Sequence, residues 1–292
     1  MTKPSDKQRL IDWFYRTTFP NGVLQFDAYL LEAVTSALGK SVPDAQAYIE
    51  TNRTRVWNWV SEQNDADTKD GLHPVFVQKD SNSRRFAWYA HELEMSCHSK
   101  FKRRSAQLKS RPLILQKIDS MTARDFEILR CVACRLIGAQ DVELTPRGDE
   151  GGIDFFGLVA FPGKTHFFGG STARIRLIGQ SKKYETKVSV DKIRDFMTTV
   201  EQVKHRSRDL KYPVPDWFYS HRGPILGWMI SHKGFQSGAI TLARSHGIIL
   251  SRSTDISEIM ALSRLLAQDK QPQVRADELE LLIRLERKRY QN

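Results

Sequence analysis

Two short segments of this chain carry side chains that could act together on a phosphodiester. Asp154 follows Gly151-Gly152-Ile153 at the start of an apolar run, and Gln180-Ser181-Lys182 ends the next such run. Hydrolysis of a phosphodiester needs a hard cation, a positioned water and a positive group that offsets charge in the transition state. Carboxylate, amide and carbonyl oxygens suit Mg²⁺, and a lysine supplies the positive group. The spacing therefore predicts metal-assisted hydrolysis.

Side-chain alternation along a strand indicates which of these residues act together. Residues two apart project from one face, so Gln180 and Lys182 point together while Ser181 turns the other way. If the strand that begins at Asp154 pairs beside them, its carboxylate can meet the Gln180 amide oxygen and the Ser181 backbone carbonyl around one cation. Lys182 would then reach the attacking water or the scissile phosphate. Glu127, on the preceding predicted helix, is expected to join as a direct or water-mediated ligand.

Nearby polar residues have plainer interpretations. An Asp before a strand is usually a turn residue, and Gln-x-Lys is common on exposed strand edges, so only the ordered set indicates chemistry. Asp149 and Glu150 are expected to solvate the Gly-rich turn, with an auxiliary metal contact as the alternative. His232 could approach phosphate, but a surface histidine at a turn is the commoner case and is the expectation here.

The same segments resemble the Mrr-type restriction endonucleases, a branch of the PD-(D/E)xK nuclease superfamily in which Gln often replaces the acidic residue before x-Lys. The resemblance covers roughly residues 120–262 and rests on Phe126-Glu127, Gly151 to Gly157, Gln180 to Tyr184, Gly227 to Ala239, and Ala243 to Leu250. It implies a Mg²⁺- or Mn²⁺-dependent DNA endonuclease of restriction or anti-phage defence. Asp154, Gln180 and Lys182 would stand at its centre, with Glu127 in support.

Two other functions stay open at this point. One is a non-catalytic DNA-binding or assembly subunit that keeps the nuclease fold, which the presence of Asp154, Gln180 and Lys182 together disfavours. The other is an RNA nuclease, because the same metal chemistry cuts either backbone. A homodimer, or membership of a larger defence complex, is expected of a duplex cutter because antiparallel strands present two equivalent scissile bonds.

The charge balance favours a polyanionic partner. The 45 Lys and Arg residues exceed the 34 Asp and Glu residues, for a formal net charge of +11, and such residues bind phosphate with release of counterions. Lys183, Lys187 and Lys192 follow the predicted catalytic strand and could flank DNA. Arg103 and Arg104 belong to a basic run that could track phosphates. A solvated helix face or linker is the alternative for both groups.

The chain is expected to divide into three parts. Residues 1–112 form an N-terminal domain for DNA recognition, sensing or partner binding, 113–265 an Mrr-like endonuclease domain, and 266–292 a C-terminal amphipathic helix. The fold class is α/β, with a restriction-endonuclease-like central mixed sheet flanked by helices. The N-terminal domain is mainly helical, and helices followed by a basic hairpin are compatible with a winged helix. The polar stretch 62–70 is predicted to be a loop.

The cysteines and the apolar runs bear on location. Three cysteines form a sparse, odd set that favours reduced thiols in the cytosol. Cys131-x-x-Cys134 lacks a second pair that would complete a zinc site, so a structural role on a helix is expected. The opening residues carry no apolar signal segment, and no window approaches 18 apolar residues. A soluble, cytoplasmic protein without a membrane partner is therefore expected.

Overall fold

A computed structural model describes residues 5–145, 152–160, 174–184, 186–207, 210, 214–263, 266 and 271–290. The described residues fall into two compact units. The first unit takes those of Met1–Gln116 and Leu266–Ala276, and the second unit takes those of Lys117–Leu265 and Asp277–Asn292. No helix in these ranges has the length and apolar character needed to cross a membrane. The expected roles of Asp149 and Glu150 fall outside the described residues.

The first unit combines helices with a small antiparallel sheet. Its elements are α1 (Asp6–Arg16), β1 (Val23–Gln25), α2 (Asp27–Leu38), α3 (Val42–Lys69), β2 (Phe76–Asp80), β3 (Arg85–Trp88), α4 (Tyr89–Glu94) and α5 (Ser99–Lys109). The strands are ordered β1-β3-β2. The order α1-β1-α2-α3-β2-β3, with β1 hydrogen-bonded to β3, is the topology of a winged helix, in agreement with that interpretation of the sequence.

Helix α3 is longer than the sequence predicts. The loop expected for residues 62–70 is wrong, because α3 continues through this range. Its polar side chains include two that face inward. The Asn64 side-chain oxygen accepts a hydrogen bond from the Val75 N–H at 2.7 Å, and the Tyr15 hydroxyl donates to Asp67 at 2.5 Å. Asn64 and Asp67 are thus buried hydrogen-bonding groups of a helix whose other polar residues in this range are mostly exposed, which composition alone does not distinguish from a loop.

The remaining elements include the five strands of the larger sheet. They are α6 (Arg111–Ser120), α7 (Ala123–Leu136), β4 (Ala139–Leu144), β5 (Phe155–Ala160), β6 (Arg174–Lys182), α8 (Val190–Lys204), α9 (Asp216–Ser220), β7 (Ile225–Ser231), α10 (Ser237–Ser245), β8 (Ile249–Arg252), α11 (Ser253–Leu262) and α12 (Pro272–Arg289). The sheet order is β4-β5-β6-β7-β8. Strands β4 to β6 pair antiparallel, and β6 to β8 pair parallel. The predicted α/β class with a mixed sheet is confirmed.

Different helices cover the two faces of this sheet. On one face, Gly157 of β5 lies against α7, so that a β-carbon built there would be 2.6 Å from the Cys134 sulfur. On the other face, Phe156 of β5 joins Phe196 and Val200 of α8 in a buried apolar cluster. Successive residues of one strand thus serve opposite layers, as the alternation of a strand requires. Helix α7 approaches the end of β5 from one side and α8 from the other.

The two cysteines of α7 belong to the packed core. Both are free thiols and buried, whereas Cys97 is exposed. Burial raises the pKa of Cys131 to about 12 and raises the pKa of Cys134 well above its ordinary value. Because the thiolate is the nucleophilic form, neither group is suited to redox or metal chemistry near neutral pH.

Alkylation should therefore distinguish the three thiols. We expect iodoacetamide to modify only Cys97 in the folded protein and all three cysteines in denaturant, since the other two are 0% exposed. Intact-mass spectrometry gives the count, and Cys97→Ser provides the control in which the native protein gains no label. Rapid labelling of Cys131 or Cys134 under native conditions would contradict their placement in the core.

Candidate active site

The pairing of β5 with β6 brings Asp154 beside Gln180. Phe155 is the antiparallel partner of Gly179, and the Asp154 N–H donates to the Gly179 carbonyl at 2.8 Å. Continuing this register by one residue sets Asp154 directly opposite Gln180. The two segments that the sequence singles out therefore meet at one end of a strand pair, 26 positions apart along the chain.

Lys182 ends the same strand. It pairs in register with Ser231 of the parallel neighbour β7, and its carbonyl accepts a hydrogen bond from the His232 N–H at 3.1 Å. The half-buried ammonium lies 5.9 Å from the centre of the Tyr184 ring. None of the ion pairs among the described residues involves it. Within the described part of the chain, Lys182 is thus a cation without a carboxylate partner, two residues beyond Gln180.

Two donors to the Asp154 carboxylate are found among the described residues, and one of them is an arginine that the sequence motifs do not include. Its Oδ2 accepts from the Ser181 N–H at 2.6 Å and from Arg130 Nη1 at 2.5 Å. The Arg130 side chain is 1% exposed and that of Asp154 13%. The available signal was position: Arg130 follows Phe126 by four residues, which puts a charge on the apolar stripe of α7.

Glu127 lies on the same helix but has a different partner. Its Oε2 accepts from Arg124 Nη1 at 2.7 Å, and its side chain is 32% exposed. This pair joins residues three apart on one helix, where side chains are neighbours. A role for Glu127 as a direct or water-mediated ligand stays a prediction.

The predicted donor set fits a hard divalent cation. It consists of the Asp154 carboxylate, the Gln180 amide oxygen and the Ser181 carbonyl, which are all oxygen donors of the kind that Mg²⁺ and Mn²⁺ accept. Within the described ranges, no three His, Cys, Asp or Glu side chains form a group that could hold a metal. These three groups alone would offer a cation two neutral oxygens and one carboxylate, so that their affinity for it would be modest.

The comparison with known families bears directly on this site. Residues 118–210 match the Mrr_cat family of restriction endonucleases. This range contains Glu127, Asp154, Gln180 and Lys182, so the resemblance inferred from the sequence is confirmed over the segment that carries them. The match supports a DNA nuclease.

Solved structures similar to this chain are also restriction endonucleases, at low similarity. The DNA modification-dependent restriction endonuclease AspBHI shows 14% identity and a TM-score of 0.40, over 76% of this chain and 48% of that chain. MspJI, in complex with a 27-mer oligonucleotide, shows 16% identity and a TM-score of 0.37, over 62% of this chain and 35% of that chain. FokI shows 10% identity and a TM-score of 0.35, over 88% of this chain and 44% of that chain. Each similarity spans less than half of the solved chain, and no curated protein matches.

Gly152, inside the segment that matches Mrr_cat, leaves room for the Gln180 side chain. A β-carbon at this glycine would lie 3.1 Å from Gln180 Nε2 and 3.5 Å from the Thr199 hydroxyl oxygen, and its φ is +84°. Both the close approach and the left-handed backbone favour glycine. The Gly-Gly before the aspartate is therefore explained in part by the Gln180 side chain packed against it.

Replacing Gly152 by Ala should disturb the site beyond its cost in stability. We expect a loss of about 1–2 kcal/mol from the left-handed backbone, together with slower cleavage because the Gln180 amide must move. Gly138→Ala is the matched control, since its φ is +100° but nothing lies within 4 Å of the added carbon. Denaturant unfolding and nuclease assays should show similar destabilisation in both variants and reduced cleavage only in Gly152→Ala. Equal cleavage by the two variants would contradict the packing argument.

The basic residues of the Mrr_cat segment differ in their surroundings. Lys183 donates to the carbonyls of Asp119, at 3.2 Å, and Met121, so its ammonium closes the C-terminal end of α6. Lys187 is exposed. Lys192 lies 3.4 Å from Asp195 and is about half exposed. Lys187 and Lys192 are accessible to a phosphate, whereas the Lys183 ammonium already has backbone partners.

His232 is buried, so the surface position expected for this residue is wrong. Its side chain is 5% exposed, and Nε2 lies 2.8 Å from an Asp119 carboxylate oxygen. The ring meets Phe126 edge-on at 6.0 Å between centres. The sequence places the histidine after a strand correctly but does not show that α6 and α7 cover it.

Proposed function

We propose that this protein is a divalent-metal-dependent DNA endonuclease that hydrolyses phosphodiester bonds. The observation that carries the proposal is the β5–β6 register, which sets Asp154 opposite Gln180, with Lys182 two residues further along the strand. The match of residues 118–210 to restriction endonucleases supports the same chemistry. Restriction or anti-phage defence is the biological role that we propose for it.

Each residue of the site has a distinct role in this proposal. Asp154, Gln180 and the Ser181 carbonyl would hold Mg²⁺ or Mn²⁺, with Glu127 adding a direct or water-mediated contact. When bound, the ion supplies Lewis-acid polarisation of the phosphate and an acidified water. Lys182 would orient the attacking water and offset negative charge that develops on the phosphate. The buried position of Gln180 and Ser181 fixes these groups on a rigid strand.

The neutral charge of Gln180 gives a direct test of its placement. Gln180→Glu should tighten Mg²⁺ binding by about tenfold, because a second carboxylate adds a full negative charge beside the cation. Calorimetric titration without DNA measures this affinity. Gln140→Glu adds the same charge at an exposed position of β4 and should leave the affinity unchanged. Equal or weaker binding by Gln180→Glu would contradict the assignment.

We propose DNA as the partner and a division of labour along the chain. Residues 113–265 would cut, 266–292 would add a helix, and 1–112, with its winged-helix topology, would recognise DNA, sense a signal or bind a partner. Lys187 and Lys192 would flank the duplex, with Lys183 beside them. Arg103 and Arg104, exposed and half-buried on α5, would contact phosphates. A cytoplasmic homodimer, or a subunit of a larger defence complex, is the assembly that fits this function.

A cleavage assay distinguishes the candidate functions. The purified protein would be incubated with Mg²⁺ or Mn²⁺, and with EDTA as control, on supercoiled plasmid, linear duplex, single-stranded DNA and RNA. Metal-dependent cutting of DNA is the expected result. Cutting of RNA alone would replace the proposal by an RNA nuclease. No cutting of any substrate, with and without candidate partners, would favour a non-catalytic DNA-binding subunit.

A further inference from the structure

We propose that Arg130 is a positioning residue that serves as a built-in counter-ion of Asp154 and competes with the metal for its carboxylate. The idea rests on the proposed function, because Asp154 must be a metal ligand for the competition to matter. It deepens that function by assigning to the site a residue that limits cation affinity. The burial of Arg130, its contacts and the charge balance around Asp154 support this role.

Arg130 is enclosed by the core of the second unit. The whole residue is 0% exposed. Its Nε donates to the Phe126 carbonyl at 3.3 Å, and the guanidinium carbon lies 5.8 Å from the centre of the Phe155 ring. A buried guanidinium is strongly disfavoured without a negative partner. Asp154 is the one carboxylate that pairs with it among the described residues.

The described residues satisfy the guanidinium only in part. Nη2 is buried and has no hydrogen-bond partner within the described part of the chain. An arginine with a purely structural role normally has its buried donors paired. The hydrogen bond to Asp154 is therefore the charge-assisted bond of Arg130, and each of the two side chains needs the other as its ionic partner.

The hydrogen bonds from described residues fall on one of the two oxygens of the Asp154 carboxylate. Ser181 N–H and Arg130 Nη1 both donate to Oδ2, and no described residue donates to Oδ1. A cation that binds at Oδ1 must share one carboxylate with a guanidinium. The positive charges repel across a carboxylate that can neutralise only one of them.

The other candidate site residues that the structure describes do not restore a negative balance. Gln180 is neutral, Lys182 adds a positive charge, and Glu127 is paired with Arg124. Asp154 and Arg130 cancel, so these central groups carry a net positive charge before a cation arrives. Such a centre is suited to attract phosphate and binds a lone cation poorly. A bound phosphate would offset the repulsion, and by linkage cation and nucleic acid would strengthen each other's binding.

The test measures Mg²⁺ binding to the full chain without DNA, so that catalysis does not enter the readout. Arg130→Gln should bind Mg²⁺ at least about tenfold more tightly than the wild type, because a positive charge near the cation is removed. Arg130→Lys keeps the charge but lacks the planar fork, and we expect about threefold tighter binding. Arg135→Gln is the matched control, since it also removes a half-buried ion pair of α7, with Glu286, and should leave the affinity unchanged.

Asp154→Asn separates failure of this inference from failure of the proposed function. If Asp154→Asn abolishes Mg²⁺ binding while Arg130→Gln leaves it unchanged or weaker, the counter-ion role is overturned and the metal site stands. If Asp154→Asn binds Mg²⁺ like the wild type, the metal site itself is overturned. Circular dichroism checks folding, and if Arg130→Gln does not fold, Arg130→Lys decides: equal or weaker binding by the lysine variant overturns the inference.

Discussion

Replacement of Asp154 or Lys182 by Ala is expected to abolish DNA cleavage and to leave DNA binding largely intact. Asp154 supplies the charged oxygen donor at the end of the β5–β6 pair, and Lys182 supplies the cation at the end of β6. Loss of one preorganised electrostatic group typically slows an enzyme by about a hundredfold or more. The proposed backbone contacts of Lys187, Lys192, Arg103 and Arg104 are unchanged in both variants, so most DNA binding should survive.

The design must distinguish lost chemistry from lost stability. Asp154→Ala leaves Arg130 buried without its carboxylate, which costs about 3–5 kcal/mol in comparable cases. Asp154→Asn keeps an acceptor for Arg130 and removes only the charge, so it is the preferred variant. Asp141→Ala and Lys204→Ala change exposed residues of β4 and α8 and should cut normally. Plasmid relaxation and gel-shift assays give the two readouts, and full cutting by Asp154→Ala or Lys182→Ala would refute the site.

Replacement of Gly179 by Ala is expected to be severely destabilising. The ring of Phe155 lies across this glycine, so a β-carbon there would fall 1.6 Å from Phe155 Cε1. The ring cannot retreat easily, because Phe155 is 0% exposed and meets Trp228 edge-on at 5.9 Å. Overpacking a core typically costs about 1–3 kcal/mol, and this overlap belongs at or above the upper end. The ring also touches Arg130, so displacement should reach Asp154.

Denaturant unfolding measures the effect, with two comparisons built into the chain. Gly238→Ala lies in α10 and meets only the Val190 side chain, at 3.1 Å, so a change within about 0.5 kcal/mol is expected, given the better helix propensity of Ala. The double variant Phe155→Ala/Gly179→Ala removes the overlapping ring and should be more stable than the sum of the single losses implies. If Gly179→Ala unfolds like the wild type, the contact between ring and glycine is wrong.

The sequence predicts the juxtaposition of Asp154 and Gln180 better than it predicts their surroundings. Strand alternation and the order of two adjacent strands suffice to bring the segments together, because hydrogen bonding between neighbouring strands fixes which residues lie opposite. The sequence does not show that Arg130 ends at Asp154, since periodicity gives the face of a helix but not the group beneath it. The same limit explains His232, which only tertiary packing buries.

The first unit shows a related limit. The helices and the basic hairpin are visible in the sequence, and their order suffices to suggest a winged helix. The sequence does not show the length of α3, because Asn64 and Asp67 are residue types common in loops but are buried in the core here. A polar side chain is exposed to solvent unless the folded core offers it a hydrogen-bond partner. Such partners come from distant parts of the chain, so local polarity does not reveal them.

The position of β6 in the sheet has a consequence for how activity is lost. This strand pairs antiparallel with β5 as far as Gly179 and parallel with β7 as far as Lys182, and it carries Gln180, Ser181 and Lys182. Central strands open only when the whole domain unfolds, whereas edges and loops fray earlier. Amide hydrogens of these residues that bond across the sheet should therefore exchange with solvent at the rate set by global unfolding. Mild heat or denaturant should leave the centre intact until the domain unfolds cooperatively, and activity should then disappear in the same transition.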